Sequence, residues 1–174
     1  MTLERERSTD RPDIGLPLEG TVPLVGEPAP AFALRDQHGQ QVGLPELLAG
    51  DARATLLVFY PFAFSGTCTG ELCELRDDLA AFAADGVQVA GLSCDPTHAL
   101  RAWADAEGYR FPLLSDFWPH GEVARRYGVF LPTLGFATRG SFLVDRDGVV
   151  RWSVVLGPGQ ARDLGSYRSA VTAL

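Results

Sequence analysis

The sequence predicts an α/β fold with a central mixed β-sheet flanked by helices. Two continuous apolar runs, Ala54–Tyr60 and Val87–Leu92, have the composition of central strands that are covered on both faces. Segments with apolar residues at helical spacing follow each run, and strand–helix–strand crossovers place strands side by side in parallel. Further along, Asp147-Gly148 separates two β-rich runs and predicts an antiparallel hairpin. Parallel and antiparallel pairs together make the sheet mixed.

The chain before these strands divides into two parts. Residues 1–23 are polar, carry charges of both signs and show no sustained period, so we expect a flexible N-terminal extension. One domain over residues 24–174 is then expected, a length that can bury a sizeable core. It opens with an N-terminal hairpin, in which Asp36-Gln37-His38-Gly39 turns the chain between strands at 32–34 and 41–44. A short helix is expected at 45–48.

The remaining elements follow from hydrophobic period and from prolines and glycines. After Cys68, apolar residues recur at spacings of three and four, which predicts an amphipathic helix that Asp85-Gly86 ends. The later elements are a helix over 96–107, a strand over 112–116, a helix over 119–127, strands over 141–145 and 149–155, and a final helix over 160–174. This order of elements fits a thioredoxin-like sheet with helices on both faces.

Composition and charge argue against several function classes. The net charge of −7, from 15 basic and 22 acidic residues, disfavours a nucleic-acid partner, because phosphate binding needs a basic face. No apolar run approaches the ~20 residues of a membrane-spanning helix, and the first residues lack the apolar core of a signal peptide. Three cysteines form a poor disulfide framework for a secreted protein, so we expect a cytoplasmic location. The cysteines and histidines show no paired zinc spacing, and no cofactor or metal is expected.

The segment with the most chemical information runs from Pro61 to Cys73. A buried strand ends at Pro61, and a seven-residue step leads to Cys68 in the first turn of a helix. Free backbone N–H groups and the positive end of the helix dipole favour a thiolate there, and the thiolate is the reactive form of cysteine. Ser65, three residues earlier, has a hydroxyl that can donate to the thiolate and to an incoming substrate oxygen. The simpler alternatives are a small buried hydrophobe for Cys68 and a helix N-cap for Ser65.

The pattern Pro61-x-x-x-Ser65-x-x-Cys68 resembles the active-site signature of peroxiredoxins, in which the third position is threonine or serine. The resemblance runs from about Val25 to the C-terminus, and within the family the chain is similar to the actinobacterial one-cysteine (AhpE-like) type. It implies a thiol-dependent peroxidase that reduces hydrogen peroxide and organic hydroperoxides through a Cys68 sulfenic acid. The implied partners are a hydroperoxide substrate, a thiol reductant (thioredoxin, mycoredoxin or mycothiol) and a second copy of the chain in a homodimer. Neither nucleic acid nor membrane is an expected partner.

Two further residues take their roles from the resemblance. Peroxiredoxins carry an arginine that enters a late strand, and Arg139 has the matching context. Its planar donors would stabilise charge on the departing oxygen, together with Ser65 and the Cys68 N–H. Many members have a glutamate three residues after the reactive cysteine, and Glu71 would orient Arg139 by a charge-assisted bond. Without the resemblance, Arg139 is more simply a solvated charge at a strand edge and Glu71 an ordinary acid in the first turn of a helix.

The position of Cys73 departs from the one-cysteine type. Its spacing from Cys68 resembles the bacterioferritin-comigratory (PrxQ) peroxiredoxins, in which the second cysteine resolves the sulfenic acid. Five residues along an ideal helix separate Cα atoms by about 8.7 Å, whereas a disulfide requires roughly 4.4–6.8 Å. Resolution by Cys73 therefore requires the first turns of the helix to unwind. Alternatively, Cys73 is a free thiol without a role and an outside thiol resolves Cys68. Cys94, at the end of a strand, is expected to pack as a small residue, with a resolving role as the lesser alternative.

A function from another class could use the same cysteine. A non-enzymatic peroxide sensor or holdase would form its sulfenic acid slowly and relay the oxidation from Cys68 to a partner protein. A thioredoxin-type disulfide oxidoreductase would share the fold but would carry Cys-x-x-Cys, which this chain lacks.

Overall fold

The structure, a computed structural model, describes residues 13–174 of the chain. The strands are β1 (Ala33–Arg35), β2 (Gln41–Gly43), β3 (Ala54–Phe59), β4 (Val87–Ser93), β5 (Leu113–Ser115), β6 (Phe130–Leu131), β7 (Phe136–Ala137), β8 (Arg139–Asp145) and β9 (Val150–Leu156). The helices are α1 (Leu44–Leu47), α2 (Gly66–Asp77), α3 (Leu79–Ala84), α4 (Thr97–Glu107), α5 (Glu122–Arg126) and α6 (Leu164–Thr172). Every predicted strand occurs, and the predicted helices occur with changed ends.

Seven of the strands form one sheet in the order β2-β1-β5-β4-β3-β8-β9. At its centre β4 is parallel to both β3 and β5, and the other pairs are antiparallel. The predicted mixed α/β sheet is therefore confirmed, and the hairpin of β1 and β2 joins it through the pairing of Arg35 with Ser115. Because β3 and β4 run in the same direction, the loops that follow them meet at one edge of the sheet. Cys68 follows β3 at that edge.

Both faces of the sheet are covered, and all six residues of β3 are buried. Their side chains alternate between two apolar clusters. On one face, Leu56 and Val58 pack with residues of α2, α4 and α6, and this cluster includes Cys68. On the other face, Leu57 and Phe59 pack with residues of α1 and α5. The continuous apolar sequence of β3 is explained by this burial on two sides.

The helix expected from Cys68 onward differs from the prediction. It begins two residues earlier, at Gly66, and it is interrupted at Asp78. Helix α2 ends just before this residue and α3 begins just after it. Aspartate is unfavourable inside a helix because its carboxylate finds hydrogen-bond partners in other conformations. Here the Arg168 Nε of α6 donates to the Asp78 carboxylate at 2.9 Å. The interruption thus coincides with an ion pair between two elements, which hydrophobic periodicity does not report.

Two predicted helix starts are also corrected. The helix expected from Pro119 begins at Glu122, and the one expected from Gln160 begins at Leu164. Asp163 fixes the second start, since its Oδ1 accepts a backbone N–H of the first turn at 3.2 Å. The hairpin of β6 and β7 was not predicted, because each strand has only two residues and shows no alternation.

The N-terminal extension predicted over residues 1–23 is only partly described, since its first twelve residues lie outside the described range. Its last residues are packed on the domain, where Leu18 and Pro23 are buried. Glu19 donates its N–H to the Phe130 carbonyl at 2.9 Å and forms an ion pair with Arg125 at 2.9 Å. Residues 18–23 are therefore in contact with the domain, whereas the division of the chain at residue 23 stays a prediction. Polar composition concealed this contact, because one buried leucine and one backbone pairing carry it.

The buried carboxylate at the start of α5 provides a pH-dependent prediction. Burial raises the pKa of Asp116 to about 6, against the lowering effect of the N–H groups of Ala124 and Val123, which donate to it at 2.8 and 3.1 Å. Because the folded pKa lies above the unfolded value of 3.8, the contribution of Asp116 to stability is complete below about pH 4 and is lost as the pH rises through 6. The shift in the pKa of Asp116 between the unfolded and folded states, about two units, corresponds to about 3 kcal/mol of stability.

We therefore expect the free energy of unfolding of Asp116→Asn to rise relative to that of the wild type as the pH increases from 4 to 7.5. The relative gain should reach up to about 3 kcal/mol. Urea unfolding at a series of pH values measures this difference. Asp105→Asn, at an exposed position of α4, is the matched control and should follow the wild type. A difference between Asp116→Asn and wild type that is constant with pH would contradict the assignment.

Candidate active site

Cys68 is the third residue of α2, in its first turn, and its side chain is completely buried. It packs in the cluster that α2, α4 and α6 form on one face of the sheet, and it has no disulfide partner. The first turn of a helix supplies unpaired N–H groups and the positive end of the dipole. Cys68 follows the loop that connects β3 to α2.

That loop, residues 61–65, combines a buried proline with exposed phenylalanines. Pro61 is buried, whereas the side chains of Phe62 and Phe64 are 45% and 57% exposed. Phe64 has a φ of +64°, and among residues 13–174 it is the one non-glycine residue with positive φ. A bulky residue in this region carries a conformational cost of about 1–3 kcal/mol. The surrounding structure has to hold the loop in this shape, and such strain is often found at functional sites.

Ser65 is the residue before α2, but its side chain does not cap the helix. Its backbone carbonyl accepts from the Thr69 N–H at 2.8 Å, whereas its hydroxyl makes no capping bond. The hydroxyl oxygen is buried and has no hydrogen-bond partner within the described residues. A buried hydroxyl without a partner costs about 1–3 kcal/mol. Its capacity to donate and accept is thus available to a group that enters the site.

Arg139 begins β8 and is buried, so it is not the solvated strand-edge charge that sequence alone would suggest. Its Nε donates to the Pro158 carbonyl at 2.8 Å, and its Nη1 donates to the Glu71 carboxylate. Glu71 lies on α2 one turn after Cys68, and residues three apart share a helix face. The structure therefore brings Arg139 and Glu71 together on the Cys68 side of α2.

A second buried arginine, which the sequence reasoning missed, completes this cluster. Arg162 donates its backbone N–H, Nε and Nη2 to the Glu71 carboxylate at 2.6, 3.2 and 3.0 Å. Its Nη1 donates to the Phe59 carbonyl at 2.7 Å and to the Ser141 hydroxyl at 3.1 Å. Two guanidinium groups thus share one carboxylate, and the cluster of Glu71, Arg139 and Arg162 carries a net positive charge. Such a cluster favours an anion beside it.

Arg162 gave little signal in the sequence because it lies in a glycine-rich loop that the prediction counted as helix. A buried glutamate was the clue that could have revealed it. Glu71 precedes Leu72 on the core face of α2, and a buried carboxylate needs more than one charged or polar partner. One arginine supplies two to three donors at most to a carboxylate that can accept about four bonds.

Cys73 lies on the same unbroken helix, in a partly buried position away from Cys68. Its Sγ is 3.5 Å from the Glu107 Oε2 and 3.6 Å from the Tyr109 hydroxyl. The Tyr109 hydroxyl also donates to the Thr69 carbonyl in the first turns of α2, at 3.5 Å. Burial and the neighbouring Cys73 raise the pKa of Tyr109, which therefore remains protonated. These contacts connect the end of α4 to the part of α2 that a Cys68–Cys73 disulfide would have to unwind.

Cys94 belongs to the other face of the sheet. It is 7% exposed and packs in the cluster formed with α1 and α5, whereas Cys68 is in the opposite cluster. Burial, and secondarily the charge of Asp116, raise the pKa of Cys94 to about 12. The sheet therefore lies between the two clusters that contain these thiols. This position agrees with a packing role and disfavours a resolving one.

Within residues 13–174 no group of three or more His, Cys, Asp or Glu side chains is arranged to hold a metal ion. In the same part of the chain, no helix has the length and apolar character needed to cross a bilayer.

Several known proteins are similar to this chain in sequence and in fold. The model of the AhpC/TSA family matches residues 25–153. Alkyl hydroperoxide reductase E of Mycobacterium tuberculosis is 46% identical over 150 residues, which cover 86% of this chain and 97% of that protein. The crystal structure of peroxidoxin BcpB from Mycobacterium tuberculosis has a TM-score of 0.78 and 29% identity, covering 87% of this chain and 98% of that one. The crystal structure of AhpC from Enterococcus faecalis has a TM-score of 0.79 and 26% identity, and the match covers 87% of this chain and 92% of that one.

Proposed function

The chain belongs to the AhpC/TSA family of peroxiredoxins, which are thiol-dependent peroxidases, and we propose that Cys68 is its peroxidatic nucleophile. Pro61, Ser65 and Arg139 are the other proposed members of the site, with Glu71 in support. The observation that carries the proposal is the burial of Cys68 in the first turn of α2, one turn from the cluster of Glu71, Arg139 and Arg162. Peroxide and a thiol reductant are the reactants that this family implies.

The proposed chemistry is a two-electron oxidation of sulfur. The Cys68 thiolate attacks one peroxide oxygen, an S–O bond forms and the O–O bond breaks. The electron pair leaves with the distal oxygen, as hydroxide or alkoxide, which takes up a proton to give water or an alcohol. In this proposal, donors of Arg139 and the Ser65 hydroxyl stabilise the charge that develops on that oxygen. Cys68 is left as a sulfenic acid.

We propose that Cys73 then resolves the sulfenic acid, with an external thiol as the other candidate. Attack of the Cys73 sulfur on Cys68 forms the disulfide and releases water. Since both cysteines lie on the unbroken α2, this step requires its first turns to unwind, and helix ends open at low free-energy cost. Thioredoxin, mycoredoxin and mycothiol are the candidates for the reductant that regenerates the thiols.

Oxidation by one equivalent of hydroperoxide tests both steps. Fully reduced wild type, Cys68→Ser and Cys73→Ser are compared by mass and free-thiol count within seconds. We expect an internal disulfide in the wild type, a persistent sulfenic acid in Cys73→Ser and no reaction in Cys68→Ser. A wild type that stops at sulfenic acid would show that an external thiol resolves Cys68. A wild type that does not react, or that transfers oxidation only to a partner protein, would favour the sensor or holdase instead.

The Tyr109 contacts lead to a prediction on the rate of resolution. Tyr109→Phe removes the hydroxyl that donates to the Thr69 carbonyl and contacts the Cys73 Sγ, and unwinding of α2 should become easier by about 1 kcal/mol. We expect disulfide formation after peroxide addition to accelerate about fivefold, measured by quenched-flow mass spectrometry. Tyr127→Phe is the matched control, because it removes a 2.8 Å bond to the Pro30 carbonyl beside the other face of the sheet. Equal effects of the two variants would contradict a local role for Tyr109.

We further propose a homodimer, which a group of exposed apolar residues supports. Trp118 and Phe117 are 80% and 50% exposed, and Leu134 is 49% exposed. His120 connects their two segments, with its Nδ1 3.2 Å from the Phe117 carbonyl and its Nε2 2.6 Å from the Gly135 carbonyl. An apolar surface of this kind commonly marks an interface.

A cytoplasmic location remains a prediction from cysteine usage.

Trp118→Arg is expected to convert the homodimer to a monomer, because it places a charge in the centre of this surface. Sedimentation velocity at micromolar concentration measures the change. Leu174→Arg, at an exposed leucine of the C-terminus, is the control and should leave the dimer intact. A monomeric wild type would contradict the proposal.

A further inference from the structure

The loop before Cys68 holds Phe64 in a backbone conformation that the phenylalanine side chain itself does little to stabilise. Phe64 has a positive φ of +64°. Its side chain is more than half exposed, and its ring contact is with Trp103 at a centroid distance of 6.2 Å. Neither feature accounts for a backbone conformation that phenylalanine rarely adopts. An interaction from outside the loop has to supply the restraint.

Asp95 supplies an interaction of this kind. It follows β4, at the sheet edge where the loop after β3 also lies, and its Oδ2 accepts the Ala63 N–H at 2.8 Å. Ala63 immediately precedes Phe64, so this bond fixes the Phe62–Ala63 peptide unit, one residue before the strained φ. A carboxylate acceptor makes the hydrogen bond charge-assisted and stronger than a neutral one.

The Asp95 carboxylate is itself fixed to the rigid part of the fold. The Ser93 hydroxyl donates to the same Oδ2 at 2.7 Å and receives the Asp95 N–H at 3.3 Å. The Ser115 hydroxyl of β5 donates to the Asp95 carbonyl at 2.6 Å. Two adjacent strands of the sheet thus hold the aspartate, and the aspartate holds the loop.

The direction of the Ser65 hydroxyl depends on this restraint, because Ser65 follows Phe64 directly. A change in φ at Phe64 would rotate Ser65 and the first turn of α2, which begins with the bond from the Thr69 N–H to the Ser65 carbonyl. Within the described residues, the Ser65 hydroxyl has no hydrogen-bond partner of its own that would keep it in place. Asp95 therefore acts on the geometry in which peroxide meets Cys68 through Ala63, which lies five residues before Cys68 in the chain.

We infer that Asp95 is a positioning residue, which holds the strained loop so that Ser65 and Cys68 present their groups to the peroxide together. The inference rests on the proposed function, since it assumes that Cys68 reacts with peroxide. It assigns no contact between Asp95 and substrate. A role in stability alone would affect folding but not the selectivity of Cys68 for peroxide over other electrophiles.

The test compares two reactions of Cys68 in Asp95→Ala, Asp95→Asn and wild type. Stopped-flow kinetics gives the rate constant with hydrogen peroxide, and alkylation by iodoacetamide reports the thiolate and its accessibility without needing Ser65. In Asp95→Ala we expect the rate constant with hydrogen peroxide to fall by about 10- to 100-fold. The rate constant with iodoacetamide should change by less than about threefold. Asp95→Asn keeps one acceptor oxygen for Ala63 and should stay within about threefold of wild type in both reactions.

A double substitution identifies the strained residue as the target of the restraint. Asparagine tolerates positive φ better than phenylalanine does, so the loss caused by Asp95→Ala should be several-fold smaller in a Phe64→Asn background than in wild type. Should Asp95→Ala fail to fold, Ser93→Ala removes the hydroxyl that orients the carboxylate, and a peroxide-selective loss is again expected.

Each outcome separates the two claims. An equal loss in both reactions, or an unchanged peroxide rate in Asp95→Ala, would overturn the positioning role while the peroxidase itself stands. A wild type without reaction at Cys68 would instead overturn the proposed function.

Discussion

Glu71→Gln is expected to lower the free energy of unfolding by about 3–5 kcal/mol and to slow the reaction of Cys68 with peroxide. Glu71 is 8% exposed and accepts hydrogen bonds from both Arg139 and Arg162. Glutamine keeps an acceptor oxygen but leaves two buried guanidinium groups without a counter-charge. The rate should fall because Arg139 loses the group that holds it on the Cys68 side of α2. Urea unfolding and stopped-flow kinetics measure the two effects.

Glu74→Gln is the matched control for this substitution. It lies on the same helix, three residues further on, and its side chain is exposed. Exposed substitutions of this kind usually change stability by less than about 0.5 kcal/mol. Similar losses in both variants would show that the charge of α2, and not the buried cluster, is responsible. A stable Glu71→Gln with normal kinetics would contradict the role given to the cluster.

Arg139→Met is expected to lower the second-order rate constant with hydrogen peroxide by about 100- to 1,000-fold, the usual effect of removing one donor that stabilises developing charge. Methionine fills similar space without a donor. Alkylation of Cys68 by iodoacetamide should fall much less, because it develops no charge on a departing peroxide oxygen. The comparison of the two reactions therefore separates charge stabilisation from simple thiolate reactivity.

Arg168→Met serves as the control for loss of an arginine, since Arg168 pairs with Asp78 and its side chain is 59% exposed. It should retain the wild-type rate with peroxide. If Arg139→Met also retained that rate, the departing oxygen would have to be stabilised by other groups, and the Ser65 hydroxyl would be the first candidate. Arg139→Lys keeps the charge without the planar donors, and its rate constant with peroxide is expected to lie between those of Arg139→Met and Arg168→Met.

Hydrophobic pattern was sufficient to predict the sheet because burial on both faces of β3 leaves a continuous apolar run in the sequence. It was insufficient for helix ends. The break at Asp78 coincides with an ion pair to Arg168, and α6 starts at the cap provided by Asp163. These interactions are between individual side chains, and they leave no periodic signal. The packing of residues 18–23 was hidden for the same reason.

The candidate site shows a similar division. Cys68, Ser65 and Pro61 lie within eight residues and form a pattern that can be read locally. Arg139 required the family resemblance, because nothing in its local sequence indicates burial. Arg162 and Asp95 reach the site through loops that are close in space and distant in sequence. The positive φ of Phe64 also depends on tertiary contacts, since phenylalanine has no preference for that region.

The central claim is that the folded site, and not merely a free thiol, gives Cys68 its reactivity with peroxide. A variant with Cys68 as its one cysteine, Cys73→Ser with Cys94→Ala, can be reacted with hydrogen peroxide in the native state and in urea, with sulfenic acid followed by mass. Two or more preorganised donors should make the native protein faster by at least about 1,000-fold. Native and unfolded protein with rate constants within about tenfold of one another would contradict the account.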